Sequence, residues 1–383
     1  MEEIDKRIVE VARSAVKEYL ESLMNTERDV FIDEHGGLRN GFYERKVKTK
    51  FGEIDDLSIP RDREGRFQSA ALEPYSRSIG LDELIISLYS KGVSTRKASE
   101  ILETIFQNRY SRSSISRITD ATLEEVKRFQ GRPLESRYIA IFLDALFFFL
   151  RRETVEKEPI LFAMGIRETG EYEIMGFYLA SKESHLSYVA VIKDLYDRGV
   201  REPLLFIADG LPKLDEEVRR VFPRADFQLC TIHASRNFEA ETRESDKLQI
   251  DRELKRVFTA DTKEDALSRL SMFKVQWNKK YPRQIYNLEK KVNYLFTYFS
   301  YPQSVRRSLH SNNIIERMNK EVRRRIKVID SLPTEDSALK TVYLRVAELN
   351  DRWSHRVLNG YFKSKDELKE MFSKRYPCAT HNL

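Results

Sequence analysis

Residues 138–150 read YIAIFLDALFFFL, a β-rich apolar run broken once, by Asp144. An ionised carboxylate there carries a large desolvation cost, so it needs a compensating partner or a bound cation. Flanked by Phe142, Leu143, Ala145 and Leu146, Asp144 has no ordinary surface role. Two further acids stand out downstream. Asp209 ends the apolar run LLFIADG, and Glu316 lies in SNNIIERMNKEVRRR. Taken alone, Asp209 before Gly210 is a common strand-to-loop turn, and Glu316 on a charged helix is a common solvated residue. Two strand aspartates and a helix glutamate together suggest a two-metal phosphoryl-transfer site.

Outward from that run, the chain is β-rich after Pro133. Tyr138–Leu150, Leu161–Arg167 and Glu173–Ala180 read as strands, the last two joined by a turn at Glu168-Thr169-Gly170-Glu171. His185–Asp197 reads as a helix, Leu204–Asp209 as a strand, Lys213–Val221 as a helix and Asp226–Cys230 as a strand. The order βββαβαβ is that of a ribonuclease H-like core with a mixed five-stranded sheet, in the α/β class. In such a sheet the first strand and the two later ones run parallel, and ligands gather at their carboxyl edge. Asp144 and Asp209 would then sit side by side. On the following helix, from about Asn312 to Ile329, Ile315, Met318, Val322, Ile326 and Ile329 form an apolar stripe, and Glu316 borders it. Two Mg²⁺ ions, with Mn²⁺ able to substitute, suit these hard oxygen ligands. They can activate an attacking oxygen and stabilise a leaving one in in-line attack on a phosphodiester.

Before the β-rich region, Glu2 to Met24 has helical apolar spacing, and its stripe could serve dimerisation. GFYERKVKTKFGEIDDLSIPR reads as a small β meander with a turn at Phe51-Gly52 and a stop at Pro60. Leu81 to Phe129 reads as three helices, with Gly92 ending the first and Ser94 and Ser111 capping the next two. The third opens with Arg112, Ser113, Ser114, Ser116 and Arg117, hydroxyls and guanidinia suited to DNA phosphates and base edges, so the region reads as a helix-turn-helix. A plain trihelical bundle fits the same pattern. Beyond the core strands, Phe238 to Arg307 is helical and highly charged, too long for a loop and so an all-α insertion. Lys320, Arg323, Arg324, Arg325 and Lys327 follow Glu316 on its helix. Lys320, Arg323 and Lys327 share its face, and with Arg324 they are candidate DNA contacts.

The chain holds 67 Lys and Arg against 61 Asp and Glu, a net charge of +6, with 41% hydrophobic residues. That composition supports folded domains and leans modestly toward a polyanionic partner. The longest apolar stretch is too short for a membrane span, and no secretory leader is visible, which predicts a cytoplasmic, nucleoid-associated protein. Two cysteines, Cys230 and Cys378, cannot make a disulfide framework. Cys230 and His233 form a C-x-x-H pair without a second pair at zinc-site spacing other than Cys378 and His381 near the chain end, so a structural zinc is not expected.

FYERKVKTKFGEIDDLSIPRDREGRFQSAALEPYSRS, GVSTRKASEIL with SRSSISRITD, then FLDALFF, IADGL, DFQLCTIHASRN and YPQSVRRSLHSNNIIERMNKEVRRR follow one another in the chain. Together, from about Asn40 to Trp353, they closely resemble the Mutator-type transposases of bacterial insertion sequences, a DDE family related to plant Mutator elements. The resemblance implies a ribonuclease H-like catalytic domain with Asp144, Asp209 and Glu316 as catalytic and metal-binding acids. It further implies Mg²⁺-dependent cleavage and strand transfer at terminal inverted repeats, by a copy-out route through a circular intermediate. The implied partners are transposon-end inverted-repeat DNA and target DNA, with a homodimer pairing the two ends. His233 matches the family's C-x-x-H motif and is expected at the DNA, as are Arg236 and Asn237. Where the family has lysine, glycine and an aromatic residue after the second aspartate, this chain has Gly210-Leu211-Pro212-Lys213. Where it has two threonines before the glutamate, His310-Ser311 stand. A transposase-derived regulator, retaining DNA binding without catalysis, is the alternative.

The expected domains are 1–75, a helix and β section for dimerisation and DNA contact; 76–132, the helix-turn-helix; 135–237 with 308–350, the catalytic core; 238–307, the all-α insertion; and 351–383, a helical appendix.

Overall fold

Strand β3, Arg137–Arg151, occupies the middle of the principal sheet, as the apolar run predicts. The structure, a computed structural model, describes residues 2–49, 52–67, 69, 86, 88, 89, 93, 98, 112–151, 155–326 and 334–377. Within these, β3 is followed by β4, Val155–Arg167, and β5, Tyr172–Leu179, both antiparallel. Helix α3, His185–Asp197, comes next. Strands β6, Glu202–Pro203, and β7, Leu205–Ala208, then pair with β3 in parallel, and β8, Asp226–Leu229, pairs with β7 in parallel. The order is β5-β4-β3-β7-β8, with the two-residue β6 also on β3. Antiparallel on one side and parallel on the other, this sheet is mixed. Tyr138 to Leu143, Phe162 to Met164 and Leu204 to Ala208 are all buried, as expected of strands covered on both faces.

Helix α4, Leu214–Val221, returns the chain between β7 and β8. After β8 the chain is helical: α5 Thr231–Ala240, α6 Glu244–Phe258, α7 Lys263–Trp277, α8 Pro282–Lys290, α9 Val292–Leu295, a 3₁₀ turn Thr297–Ser300 and α10 Gln303–Leu309. Trp277, Tyr281, Phe238 and Phe273 fill the middle of this bundle through edge and tilted ring contacts. Helix α11, Asn313–Ile326, carries Glu316, and its Ile315, Met318 and Val322 are buried as the stripe predicts; Ile329 and Lys327 lie outside the described residues.

The C-terminal segment does more than append. After α12, Glu335–Ser354, helix α13, Tyr361–Arg375, docks at the entry end of the parallel strands. There Arg375 Nη1 donates to Leu204 O at 2.7 Å and Nη2 to Asp226 Oδ2 at 2.8 Å, while Tyr376 Oη donates to Pro203 O at 2.6 Å. Gly360 precedes α13 with φ of 85°, and a Cβ built there would lie 2.1 Å from Ser304 O, so only glycine fits.

By contact density the chain divides into two units, residues 1–125 with 325–330 and residues 126–324 with 331–383. The principal sheet and the helices after it belong to the second. In the first, α1, Glu2–His35, extends eleven residues past the expected Met24. Strands β1, Arg39–Thr49, and β2, Gly52–Asp62, form an antiparallel hairpin. Pro60 does not stop β2: it pairs opposite Phe42, which a two-stranded ribbon permits because each strand has an outer edge needing no donor. Leu20 and Met24 of α1, with Val16 against them, pack on Ile54, Leu57 and Ile59. This part of the α1 stripe is therefore covered by the chain's own hairpin. Helix α2, Arg112–Gly131, begins where Ser111 was expected to cap it. Of the two preceding helices of the expected helix-turn-helix, only Ile86, Leu88, Tyr89 and Ala98 are described, all four helical.

Candidate active site

Parallel register sets the geometry of the acids. Ile141 pairs with Phe206 and Phe142 with Ile207, so two residues further on Asp144 and Asp209 stand level on neighbouring strands. Asp144 is 7% exposed, and Asp209 lies where β7 has just ended. The Asp209 Oδ1 accepts from the Gly210 N–H at 2.6 Å, turning the loop sharply. Three residues later Lys213 takes a left-handed backbone, φ of 65°, the single non-glycine positive φ among the described residues.

Glu316 is held over this edge by two asparagines, one at the corner entering its helix and one on the helix itself. Asn312 Nδ2 donates to Leu143 O at 3.1 Å, and Asn319 Nδ2 donates to Asp144 Oδ2 at 2.8 Å. Four residues before Glu316 and three after it, they lie on one helix face with it. The corner leading into α11 is tied to the exit of β8: the Asn312 N–H donates to Cys230 Sγ at 3.2 Å, and the Thr231 N–H to His310 O at 3.1 Å. Cys230 is thus a buried acceptor at the corner, and burial pushes its thiol up to about 12.

Charge is concentrated here. Burial pushes the Asp144 carboxyl up to about 7; the Ala145 N–H opposes this, while Glu316, Asp209 and Glu183 reinforce it. Glu183 is raised as well, by burial first, against the Tyr188 hydroxyl that donates to it at 3.1 Å; Asp209 raises it further and His233 lowers it. Four carboxylates therefore act on one another. Among the described residues, Glu316 is the one with a cation: Arg236 Nη1 and Nη2 donate to its Oε1 and Oε2 at 2.8 and 3.2 Å. His233 Nε2 lies 3.7 Å from Glu316 Oε1.

Among the described residues, no three Asp, Glu, His or Cys side chains are gathered closely enough to hold a metal as they stand. The donors nevertheless suit a hard cation. Asp144 is buried among like charges with one amide as its side-chain partner, and Asn319 Oδ1 and His233 Nδ1 are buried without any hydrogen-bond partner. Such orphaned groups are exceptional in a folded protein and ask for a missing partner.

The other sequence-derived candidates fall in three places. His233 and Arg236 stand at Glu316, and Asn237 is exposed beside them. Lys320, Arg323 and Arg324 are exposed further along α11, but Arg324 pairs with Glu321 at 2.9 Å. Arg112, Ser113, Ser114 and Arg117 lie in the first turns of α2, where only the backbone is described. Sequence reasoning missed Glu183, Asn312 and Asn319. Helical spacing from Glu316 could have found the two asparagines; Glu183 sits in a loop and carries no pattern.

The mixed α/β core thus brings two aspartates level on neighbouring strands, with a helix glutamate clamped beside them. Residues 2–356 match the sequence model of the family described as Transposase, Mutator family. The transposase for insertion sequence element IS905 of Lactococcus lactis is 33% identical over 375 residues, 95% of each chain. That for IS1201 of Lactobacillus helveticus is 32% identical over 341 residues, covering 86% of this chain and 92% of the relative. The transposase for IS256 in transposon Tn4001 of Staphylococcus aureus is 29% identical over 358 residues, 90% of this chain and 91% of the relative. The chain belongs to the Mutator family of transposases. No helix among the described residues is long and apolar enough to cross a membrane.

Proposed function

We propose that this chain is the DNA-cleaving and strand-joining enzyme of an insertion sequence, with a ribonuclease H-like catalytic core. Asp144, Asp209 and Glu316 would be its acids, acting on terminal inverted-repeat DNA and then on target DNA. The observation that carries this reading is the double asparagine clamp: Asn312 and Asn319 fix the helix bearing Glu316 to the strand bearing Asp144, level with Asp209. A structural helix needs no such registration on three acids from distant parts of the chain. The strand order β5-β4-β3-β7-β8 supports the fold assignment.

Asp144 and Asp209 would hold Mg²⁺ or Mn²⁺, with Glu316 completing the set. The bound ions supply an activated attacking oxygen and stabilise the leaving one. The chain's own contribution is position: the sheet fixes both aspartates, and the clamp fixes the height of Glu316. His233, beside Glu316, would face the DNA. Exposed Lys320 and Arg323 continue the same helix face and would follow the phosphates. Arg112 and Arg117 on α2 would read the ends, and the protein would act as a dimer that pairs them.

The test is cleavage and joining of a labelled terminal-repeat duplex in Mg²⁺ by Asp144→Asn, Asp209→Asn and Glu316→Gln. Each should lose at least about 10³-fold, and a double variant should be no worse than a single one, because the acids act as a unit. Substantial strand transfer by any one of them would remove that residue from the site. Retained end binding by all three separates a catalytic loss from a failure to fold.

A further inference from the structure

Arg236 belongs to two places at once. Both its terminal nitrogens donate to Glu316, and its side chain, 55% exposed, also lines a cavity of about 930 Å³. Helices α5, α6 and α10 enclose that space, together with the corner that leads into α11. Lys255 and Arg307 lie on its wall and make no ion pair among the described residues. Tyr298 and His310, whose rings are 5.7 Å apart, add an aromatic side.

We propose that this cavity seats a phosphodiester group of DNA, and that its occupation draws Arg236 from Glu316 onto the phosphate, freeing Glu316 to join Asp144 and Asp209 at the metal. The inference rests on the metal-dependent transposase reading above. Its physical basis is competition for one planar fork. A guanidinium pairs two-pronged with carboxylate or phosphate, so the two are alternative partners of equal geometry. While Arg236 grips both oxygens of Glu316, that carboxylate has little to offer a cation, in keeping with the lack of a gathered metal set. Because Arg236 is half exposed, moving it does not require breaking into the core.

The acids Glu239, Asp251 and Asp261 also line the space and would oppose an anion. They lie on α5 past Arg236, on α6 and after it, whereas Arg307 and His310 come from the chain that enters α11. The phosphate is therefore assigned to the side of the cavity nearest Glu316. Its arrival supplies the second negative partner that Arg236 needs, and Lys255 and Arg307 add attraction that Glu316 does not receive. The device would keep the cutting site incomplete until DNA is in place. Linkage makes it reciprocal: if DNA tightens metal binding, metal tightens DNA binding by the same factor.

The measurement is Mn²⁺ binding to the full chain by isothermal titration, with and without a short terminal-repeat duplex, after subtracting Mn²⁺ bound by the duplex alone. For the wild type, DNA should tighten binding by about tenfold, an ordinary coupling strength. Arg236→Gln should bind Mn²⁺ tightly without DNA and gain less than about twofold on its addition. The double variant Lys255→Ala, Arg307→Ala should keep the weak DNA-free state and lose the DNA effect. If Arg236→Gln binds as weakly as the wild type without DNA, or the double variant keeps the full gain, the proposal is overturned. Mn²⁺ binding unchanged by Asp144→Asn would instead refute the metal reading beneath it.

Discussion

Asn319 Nδ2 donates to Asp144 Oδ2 at 2.8 Å, so the helix that carries Glu316 is the source of the side-chain hydrogen bond on the most buried acid of the site. With Asp144 raised to about 7 by burial, its ionised form opposes folding. The sign is opposite to that of a salt-bridged aspartate. Without metal, stability from this group is greatest below the unfolded value near 4 and falls as pH rises toward 7. Asp144→Asn should therefore stabilise the metal-free protein at pH 8, by roughly 2–4 kcal/mol, and have little effect at pH 4. Asn319→Ala should do the reverse at pH 8, costing about 1–3 kcal/mol by leaving a buried charge without its donor. Thermal melts at the two pH values check both.

Glu183 is expected to matter to the site although it lies outside the triad. Its carboxyl is raised by burial and by Asp209, and the Tyr188 hydroxyl holds it in place. Glu183→Gln removes one repelling charge while keeping the acceptor for Tyr188. The variant should fold as well as the wild type, bind divalent metal a few-fold more weakly and lower the apparent pH at which metal binds. Mn²⁺ titrations from pH 6 to 9 would show this, and an unchanged profile would place Glu183 outside the site's electrostatics.

His310 gives the fold a second pH dependence. Its ring is lowered to about 4 by burial, with Arg307 adding to the effect, and its Nδ1 is 2.8 Å from Thr231 Oγ1. Between about 4 and 6.5 the unfolded chain binds a proton that the folded one refuses, so stability should rise with pH across that window by roughly 3 kcal/mol. His310→Gln should flatten that part of the profile, as followed by urea unfolding at a series of pH values.

Gly360→Ala should destabilise by about 2 kcal/mol or more, because a left-handed backbone and a carbonyl 2.1 Å from the new Cβ both resist it. The loss should appear in the melting temperature, with activity per folded molecule preserved at low temperature.

The apolar run around Asp144 revealed the central strand, and helix His185–Asp197 lies where its periodicity places it. Both signals are local, since side-chain pattern reflects which face is buried. The position of Asp144 was legible too, because a charge inside an apolar strand contradicts its surroundings. Their partners were not. Arg236 reads in the sequence as a cation awaiting DNA, yet it grips Glu316, eighty residues away. Pairings across such separations depend on how helices return to the sheet, which no local pattern specifies. Pro60 shows the same limit on a smaller scale: its missing donor forbids a central strand, but only the hairpin's two-stranded form shows that no third strand among the described residues pairs beside it.

The contacts of Arg375 with Leu204 and Asp226 also constrain how the protein is made. On the ribosome, the parallel strands emerge well over a hundred residues before the helix that closes their entry end. Until that helix clears the exit tunnel, the sheet carrying Asp144 and Asp209 lacks its last fastening. A nascent or prematurely ended chain would thus hold that edge of the sheet less firmly than the finished one.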